Sequence, residues 1–246
     1  MAFPKIVRPK LELIIGLQSL GAATVAAELG HMGIRDPHMR GPRALMAGKC
    51  IAGAAMTLQC MPKREDLVEF GEHADPEKQL HRQVLLEAQA GDVVVIDARG
   101  DLGSGIFGEM MLTYFKGKGG AGVVIDGCIR DFPQVKPLDF PIWVRDVTPN
   151  YHAQTNIMPF AINVPVACGG VLVMPGDIIV ADDDGAVCVP AGMVERVVEA
   201  GGKHADWEEF TKMKLEAGGD LRRYYPLDAV GQAEYEAWRR ANPLKR

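Results

Sequence analysis

The stretch GDVVVIDARGDLGSGIFGEMMLTYFKGKGGAGVVIDGCIRD, Gly91 to Asp131, sets an apolar run, a glycine-rich turn, a helix and a second apolar run in front of a pair of charges. Val93 to Ile96 and Gly122 to Ile125 are continuous β-branched runs, short enough to be parallel strands buried on both faces. Phe107 to Lys116 between them reads as helix, which makes a βαβ unit. Its handedness brings the loops after both strands to one end of the sheet, where open α/β sheets bind ligands. Two loops therefore converge, Ala98 to Gly108 and Asp126 to Asp131. The first offers the amides of a helix N-terminus with Glu109 in its opening turn, and the second offers Arg130 and Asp131 side by side. An anion-binding helix end, two carboxylates and a guanidinium suit a metal-chelated organic acid.

The same stretch contains Gly103-Ser104-Gly105-Ile106-Phe107-Gly108, a match to GxGxxG after a strand, with Asp126 eighteen residues past Gly108. That is a dinucleotide fingerprint on its face. Two features oppose it. Five residues separate Asp97 from Gly103, where the fingerprint turns almost at once, and Glu109 places negative charge where a pyrophosphate would sit.

Outward from this core, 246 residues with 48% hydrophobic content can bury a substantial core. No repeat, low-complexity tract or linker marks a second domain. The net charge is −5 with both signs mixed along the chain, so the footprint of a nucleic-acid binder is absent. The basic-aromatic segments Arg222-Arg223-Tyr224-Tyr225 and Trp238-Arg239-Arg240 are too small to change this.

Cys50, Cys60, Cys128, Cys168 and Cys188 are odd in number and lack a CxxC pair, and most sit among Val, Ile and Ala. This implies free thiols in a reducing cytoplasm. Cys128 reads as a buried thiol or as the one candidate nucleophile, with no histidine near it in sequence to lower its pKa. Lys5, Arg8 and Lys10 before Leu11 to Ala27 imitate a secretory signal, but Glu12, Gln18 and Ser19 break the apolar segment and leave an amphipathic helix. No segment reads as apolar for long enough to span a bilayer.

A turn-rich stretch after Gly30 carries His31, Arg35, His38, Arg40 and Arg43, either as a solvated loop or as contacts to a substrate carboxylate. Lys49 to Cys60, KCIAGAAMTLQC, reads as a closely packed strand, and Pro76 to Ala90 as a helix with Pro at its first turn. Pro141 to Val144 and Ile162 to Val166 read as strands flanking a polar loop with Asn150, Tyr151, His152, Gln154 and Asn156. Val171 to Val173, Ile178 to Ala181 and Ala186 to Val189 follow, with Asp182-Asp183-Asp184-Gly185 as a turn former or a cation site. A helix from about Ala191 to Ala217 carries Glu195, Glu199, Glu208 and Glu209. His31, His38, His73, His81, His152 and His204 show no metal-ligand spacing, which favours an all-oxygen site for Mg²⁺ or Mn²⁺ over zinc.

Gly91-Asp92-Val93-Val94-Val95-Ile96-Asp97, Gly108-Glu109, Asp126-Gly127-Cys128-Ile129-Arg130-Asp131, Phe140-Pro141 and Pro175 to Gly185 together resemble the signature of the RraA-like family. The pattern is most similar to its class II pyruvate aldolases, which act on 4-hydroxy-4-methyl-2-oxoglutarate and 4-carboxy-4-hydroxy-2-oxoadipate. The likeness runs from roughly Leu20 to Gly218.

The resemblance implies a single α/β/α domain over residues 1–218 with a mostly parallel core sheet, and a helical C-terminal extension. The tail, 219–246, is expected to pack on a neighbouring subunit of a homotrimer or a dimer of trimers. It further implies a divalent ion bound directly by Asp131, with Glu109 holding a metal-bound water and Glu208 of the adjacent subunit reaching another. Arg130 would contact the substrate keto oxygen, and the amides of Gly108, Glu109, Met110, Met111 and Leu112 the substrate carboxylate.

The expected reaction is cleavage of a 4-hydroxy-2-oxo acid to pyruvate through a metal-stabilised enolate, with oxaloacetate decarboxylation as a side activity. The family also contains regulators of ribonuclease E that bind a protein partner, in which the position after the arginine is not aspartate. A lyase or hydratase acting on another 2-oxo acid is a third reading. The sequence departs from the aldolase pattern at Glu109, where some members carry aspartate, and in the Thr148 to Phe160 loop.

Overall fold

The computed structural model describes residues 6–64, 66, 75–151 and 156–242. Lys5, His73, His152 and Gln154 lie outside the described residues. The chain groups into two units, residues 1–198 and 199–246, which divide within one long helix.

In the first unit, α1 (Leu11–His31) precedes β1 (Arg43–Ala44) and the long β2 (Ile51–Pro62). Then come α2 (Leu80–Glu87), β3 (Val93–Asp97), α3 (Glu109–Gly117), β4 (Gly122–Ile129), α4 (Phe132–Val135) and β5 (Ile142–Val147). The remaining strands are β6 (Ile157–Ile162), β7 (Val166–Cys168), β8 (Val171–Val173), β9 (Ile178–Asp182) and β10 (Gly185–Val189).

The expected βαβ unit is present. β2, β3, β4 and β5 pair in parallel, with Val93 opposite Ala55 and Gly122. The full order is β1-β5-β4-β3-β2-β9-β10, with β6 also on β2, and the outer pairings are antiparallel. β1 meets β10, so the sheet nearly closes into a barrel. It is a mixed α/β fold with a mostly parallel core.

Side-chain alternation sorts three apolar layers from this sheet. Val93, Val95, Val124 and Trp143 face the barrel interior, where the β7–β8 hairpin fills the space with Val166, Cys168, Val171 and Val173. Val94, Ile96, Val123 and Ile125 point outward under α2 and α3, against Leu85, Leu112 and Phe115. Ala52, Ala54, Val180 and Val187 carry α1 through Leu17, Val25 and Leu29.

The boundaries differ from the sequence reading where non-local bonds intervene. Phe107 is not helical because its carbonyl accepts from Arg130 N, so α3 starts at Glu109. Ile162 to Val166 is not one strand: Asn163 has φ 55° and its amide donates to Thr57 O, which separates β6 from β7. The helix expected over Pro76 to Ala90 is a short 3₁₀ turn, Pro76–Lys78, and then α2, with Gln79 extended between them.

α1 corrects a further expectation. Its 21 residues, with a mean hydropathy of 1.4 over its most apolar window, are long and apolar enough to cross a membrane by length and composition. In the fold it is interrupted at Gly21 (φ 76°), and its buried side chains pack on the sheet. Asp182 accepts from Ala22 N at 2.7 Å, restarting the helix, and also from Asp184 N, while Asp183 accepts from Gly48 N. The aspartate turn thus ties backbone segments together.

The second unit holds the rest of α5 (Val194–Glu216), then α6 (Leu221–Tyr224) and α7 (Ala229–Ala241). Phe210 is its centre, with the rings of Tyr224, Tyr235 and Trp238 at 6.1, 5.6 and 5.6 Å. Lys214–Glu234 at 2.6 Å and Arg239–Asp206 at 3.1 Å close its edges. Gly218-Gly219, the expected boundary of the tail, forms the turn that ends α5.

Candidate active site

Asp131 directly follows Arg130 at the carboxyl end of β4. Its backbone is left-handed (φ 60°), a conformation aspartate tolerates better than most residues, and its carbonyl accepts from Gln134 N and Val135 N to start α4. The side chain does not cap α4. It turns to the neighbouring helix, where Oδ2 accepts from Glu109 N at 3.3 Å, the first residue of α3. A carboxylate at that end meets the positive pole of the helix. Arg130 Nη1 lies 3.4 Å from Asp131 Oδ1, and both side chains are half-buried, 42% and 33% exposed.

Two glycines make this seat. Gly105 N donates to Asn150 O at 2.9 Å, and a Cβ at Gly105 would come 2.8 Å from Arg130 Cβ. A Cβ at Gly108 would come 2.3 Å from Asp131 Oδ2 and 3.1 Å from Arg130 Nε. The glycine run is therefore an extended segment laid against β4, with Ile106 N donating to Cys128 O, and not a phosphate turn.

Within α3, Leu112 N donates to Gly108 O at 3.1 Å, and Glu109 N is taken by Asp131. The amides of Met110 and Met111 remain without an intrahelical acceptor, as at any helix start. Among the described residues the Glu109 carboxylate has no ion-pair partner.

Asp126, the acid of the alternative nucleotide reading, is committed elsewhere. It accepts from Arg145 Nε through Oδ1 and from Gly169 N at 3.1 Å through Oδ2, on the interior side of the barrel. Asp97 also faces the interior, where burial raises its pKa against the opposing effect of amides from Arg99 and Ala167. These two aspartates hold the plug hairpin. The sequence reading missed this use because the amides that bind them lie far along the chain. Cys128 is buried with Sγ 3.6 Å from Leu102 O, and its pKa is pushed up to about 11 by burial first and then by Asp146 and Asp101. A protonated thiol in that place is a packing group.

Of the basic turn, Arg40 pairs with Asp36 at 3.0 Å and His31 lies 3.7 Å from Glu28. His38, Arg40 and Arg43 line a separate cleft of about 630 Å³ with Asp183 and Asp184. That cleft shares no lining residue with the Arg130–Asp131 seat. In the second unit, Glu208 Oε1 lies 3.2 Å from His204 Nε2, and the His204 ring stacks on Trp207 at 5.1 Å.

Among the described residues no group of three or more His, Cys, Asp or Glu side chains gathers as a metal cage. The Asp131 seat instead presents one half-buried carboxylate beside an arginine and a helix start. This donor set fits a hard ion such as Mg²⁺, which is held by one or two carboxylates and keeps several waters, and does not fit a zinc site.

A family model described as "RraA-like: Aldolase/RraA" matches residues 22–188. A candidate 4-hydroxy-4-methyl-2-oxoglutarate aldolase of Halalkalibacterium halodurans is 46% identical over 127 residues, 51% of this chain and 60% of that protein. An uncharacterized protein of Methanocaldococcus jannaschii is 35% identical over 136 residues, 55% of this chain and 64% of its own length. The chain thus spans less than two thirds of either relative. Among solved structures, Streptomyces coelicolor RraAS2, an unusual member of the RNase ES inhibitor RraA protein family, is 45% identical with a TM-score of 0.77. It covers 85% of this chain and 100% of its own.

Proposed function

The chain belongs to the RraA-like family, and from that premise and the Arg130–Asp131 seat we infer that it is a divalent-metal-dependent carbon–carbon lyase releasing pyruvate from a 4-hydroxy-2-oxo acid. The observation that carries this reading is the Asp131 carboxylate turned to the N-terminus of α3, 3.3 Å from Glu109 N, with Arg130 beside it. The name of the Halalkalibacterium relative supports the aldolase class.

In this reading Asp131 would hold Mg²⁺ or Mn²⁺ directly, and Glu109 and Glu208 of the adjacent subunit would accept from waters on it. When bound, the ion supplies Lewis-acid polarisation of a 2-oxo acid's carbonyl. The chain's own groups do the rest. The amides of Met110 and Met111, at the positive end of α3, receive the C1 carboxylate. Arg130 aims fixed planar donors at the C2 oxygen and stabilises the negative charge that gathers there as the C4 hydroxyl gives its proton to solvent, C4 leaves as a carbonyl and the C3–C4 electron pair passes into the enolate, which regains a proton at C3 to become pyruvate. Asp131, held at Glu109 N, keeps Arg130 oriented and balances its charge. Oxaloacetate, losing CO₂ from the same carbon, is the expected side substrate.

The family membership of RraAS2 favours a second reading, a non-catalytic regulator that binds a protein. Hydration or cleavage of another 2-oxo acid uses the same polarised carbonyl. The five cysteines are free, which supports the reducing cytoplasm as the compartment. The assembly in this proposal is a homotrimer or a dimer of trimers, without nucleic acid or membrane.

The test is pyruvate release from a panel of 4-hydroxy-2-oxo acids and oxaloacetate, after EDTA treatment and after restoring Mg²⁺ or Mn²⁺. Activity that appears only with the ion supports the lyase. Activity that persists without it removes the metal from the reading, and no activity on any substrate turns the choice to the regulator.

A further inference from the structure

The basic turn ahead of β1 is a fixed wall rather than a solvated loop. Met39 N donates to Ala186 O at 2.9 Å, Cys188 N to Pro37 O at 3.0 Å and Arg40 N to Gly169 O at 2.9 Å, which lays the segment on β10 and on the turn of the β7–β8 hairpin. Its far end pairs with β5, Arg43 standing opposite Val144. Met39 and Pro42 are buried, while His38, Arg40 and Arg43 are exposed. These three basic side chains line the cleft of about 630 Å³ across from the Asp183-Asp184-Gly185 turn. That volume suits a small organic ligand, since such sites run from about 300 to 1,000 Å³.

Which of the charges are already engaged decides what the cleft can take. Asp183 accepts from Gly48 N through both oxygens at 2.9 Å, so it serves the backbone. Arg40 reaches Asp36 at 3.0 Å, but the two side chains are 72% and 58% exposed, and a pair so solvated holds its arginine weakly. Asp184 donates its amide to Asp182 Oδ1 at 3.0 Å. Among the described residues, neither its carboxylate nor the Arg43 guanidinium has a hydrogen-bond or ion-pair partner. The His38 ring lies over Gly185, where a Cβ would come 2.6 Å from Nε2. Behind the cleft, a methyl at Gly41 would meet the Arg145 guanidinium, whose charge is matched by Asp126. The open groups are therefore two guanidiniums and an imidazole against one carboxylate.

We propose that this cleft binds a phosphorylated sugar, with its phosphate on the Arg40 and Arg43 guanidiniums and its hydroxyls donating to Asp184. A phosphate dianion matches two guanidiniums in charge, and its oxygens suit their planar forks. A ligand that carried charge alone would set it against the Asp184 carboxylate. Hydroxyls at the other end turn that carboxylate into an acceptor. An uncharged sugar would leave both arginines unmatched. The inference does not depend on the lyase reading, because the cleft and the Arg130–Asp131 seat share no lining residue.

The experiment measures binding of ribose 5-phosphate, glucose 6-phosphate, inorganic phosphate, ribose and succinate to the full chain by isothermal titration calorimetry. Wild type, Arg43→Gln and Asp184→Asn are compared, with circular dichroism and thermal unfolding as the check on folding, and Arg40→Gln replaces Arg43→Gln if that variant unfolds. The His38 imidazole resonances, assigned by their loss in His38→Gln, report whether binding in the wild-type chain occurs in the cleft.

The expected result is that a sugar phosphate shifts the His38 resonances and binds more tightly than inorganic phosphate, ribose or succinate. Arg43→Gln weakens sugar phosphate and inorganic phosphate alike by about tenfold or more, the size of one hydrogen bond to a charged group. Asp184→Asn separates the two ligands. It weakens the sugar phosphate, whose hydroxyls lose a charged acceptor, and does not weaken inorganic phosphate, which loses a repelling neighbour. Absence of sugar phosphate binding at millimolar concentration overturns the proposal, as does binding that leaves the His38 resonances or the Arg43→Gln affinity unchanged. Succinate bound as tightly as a sugar phosphate overturns the phosphate assignment. An Asp184→Asn chain that keeps wild-type affinity for the sugar phosphate overturns the hydroxyl contact.

Discussion

Gly108→Ala isolates the geometry on which the candidate site depends. The backbone at Gly108 is extended (φ −122°, ψ −172°), a conformation open to any residue, so the added methyl strains no torsion. Its cost is contact: the new Cβ would sit 2.3 Å from Asp131 Oδ2, which already accepts from Glu109 N at 3.3 Å. Relief to an ordinary separation requires the carboxylate to retreat by about 1 Å, since non-bonded heavy atoms settle near 3.5 Å. Arg130 Nε, 3.1 Å from the same Cβ, is pressed as well. A displacement of about 1 Å of a positioning group costs on the order of 100-fold in rate, about 2.7 kcal/mol of transition-state stabilisation. The stability cost should be smaller, about 1 kcal/mol at the low end for overpacking, because Asp131 is only half-buried and can swing outward. The assay is kcat/KM for pyruvate release and for oxaloacetate decarboxylation, with Tm measured in parallel. Gly117→Ala is the control. It lies at the far end of α3 with nothing within 4 Å of its Cβ, so it should keep activity. A Gly108→Ala enzyme with wild-type kcat/KM would refute the claim that Asp131 acts from this seat.

Asp131→Asn should abolish metal-dependent turnover and Arg130→Lys should impair it severely with the fold intact, since lysine keeps charge but loses the planar donor fork; wild-type rates would remove these residues from the mechanism. Asp131→Asn and Glu208→Gln, each inactive alone, should regain activity when their subunits are exchanged into one oligomer, and verified mixtures that stay inactive would show that the two residues do not meet across subunits. With its pKa raised to about 11, the Cys128 thiol stays protonated at neutral pH. Its alkylation in the native protein, followed by mass spectrometry, should therefore rise only as pH climbs towards that value, and fast labelling at pH 8 would contradict the assignment. Arg8→Ala removes the guanidinium bonded at 2.7 and 2.6 Å to the buried Asp92 carboxylate and leaves that charge with the Gln89 amide. Loss of a fully buried pair costs about 3–5 kcal/mol, and because Arg8 is 26% exposed the expected loss is about 2 kcal/mol by denaturant unfolding.

What could be read in advance followed the range of the forces. Val93 to Ile96 and Gly122 to Ile125 were legible as buried parallel strands because burial on both faces removes alternation from the sequence itself. Arg130 and Asp131 were legible as a pair because they are neighbours at the end of such a strand. Their seat was not, because it is made between segments far apart in sequence: Gly108 against Asp131, Gly105 against Asn150 and Phe107 against Arg130. The same reason moved the start of α3 two residues past its propensity, and it split Ile162 to Val166 at Asn163, whose left-handed backbone answers a bond to Thr57. The buried aspartates of the plug are the same case, since Asp126 accepts from Arg145 and Gly169, both far along the chain.

The glycine run shows where pattern and physics part. GxGxxG is a statement about glycine positions, and the same positions serve two ends: letting a backbone turn close to a phosphate, or letting one side chain lie against another segment's backbone. Here neither Gly105 nor Gly108 has a left-handed φ, so conformational freedom is not what selects them. The absence of Cβ is, since a methyl at either would strike Arg130 or Asp131. A dinucleotide reading also requires Asp126 to be free for a ribose, and its two oxygens are already occupied inside the barrel. At this end of the sheet the Arg130–Asp131 pair stays half-exposed beside the opening amides of α3. A carboxylate with one oxygen on a helix start and the other beside a guanidinium cannot by itself enclose an ion. The ion proposed there would therefore rely on water for most of its ligands, with Glu109 and Glu208 of the adjacent subunit as their acceptors.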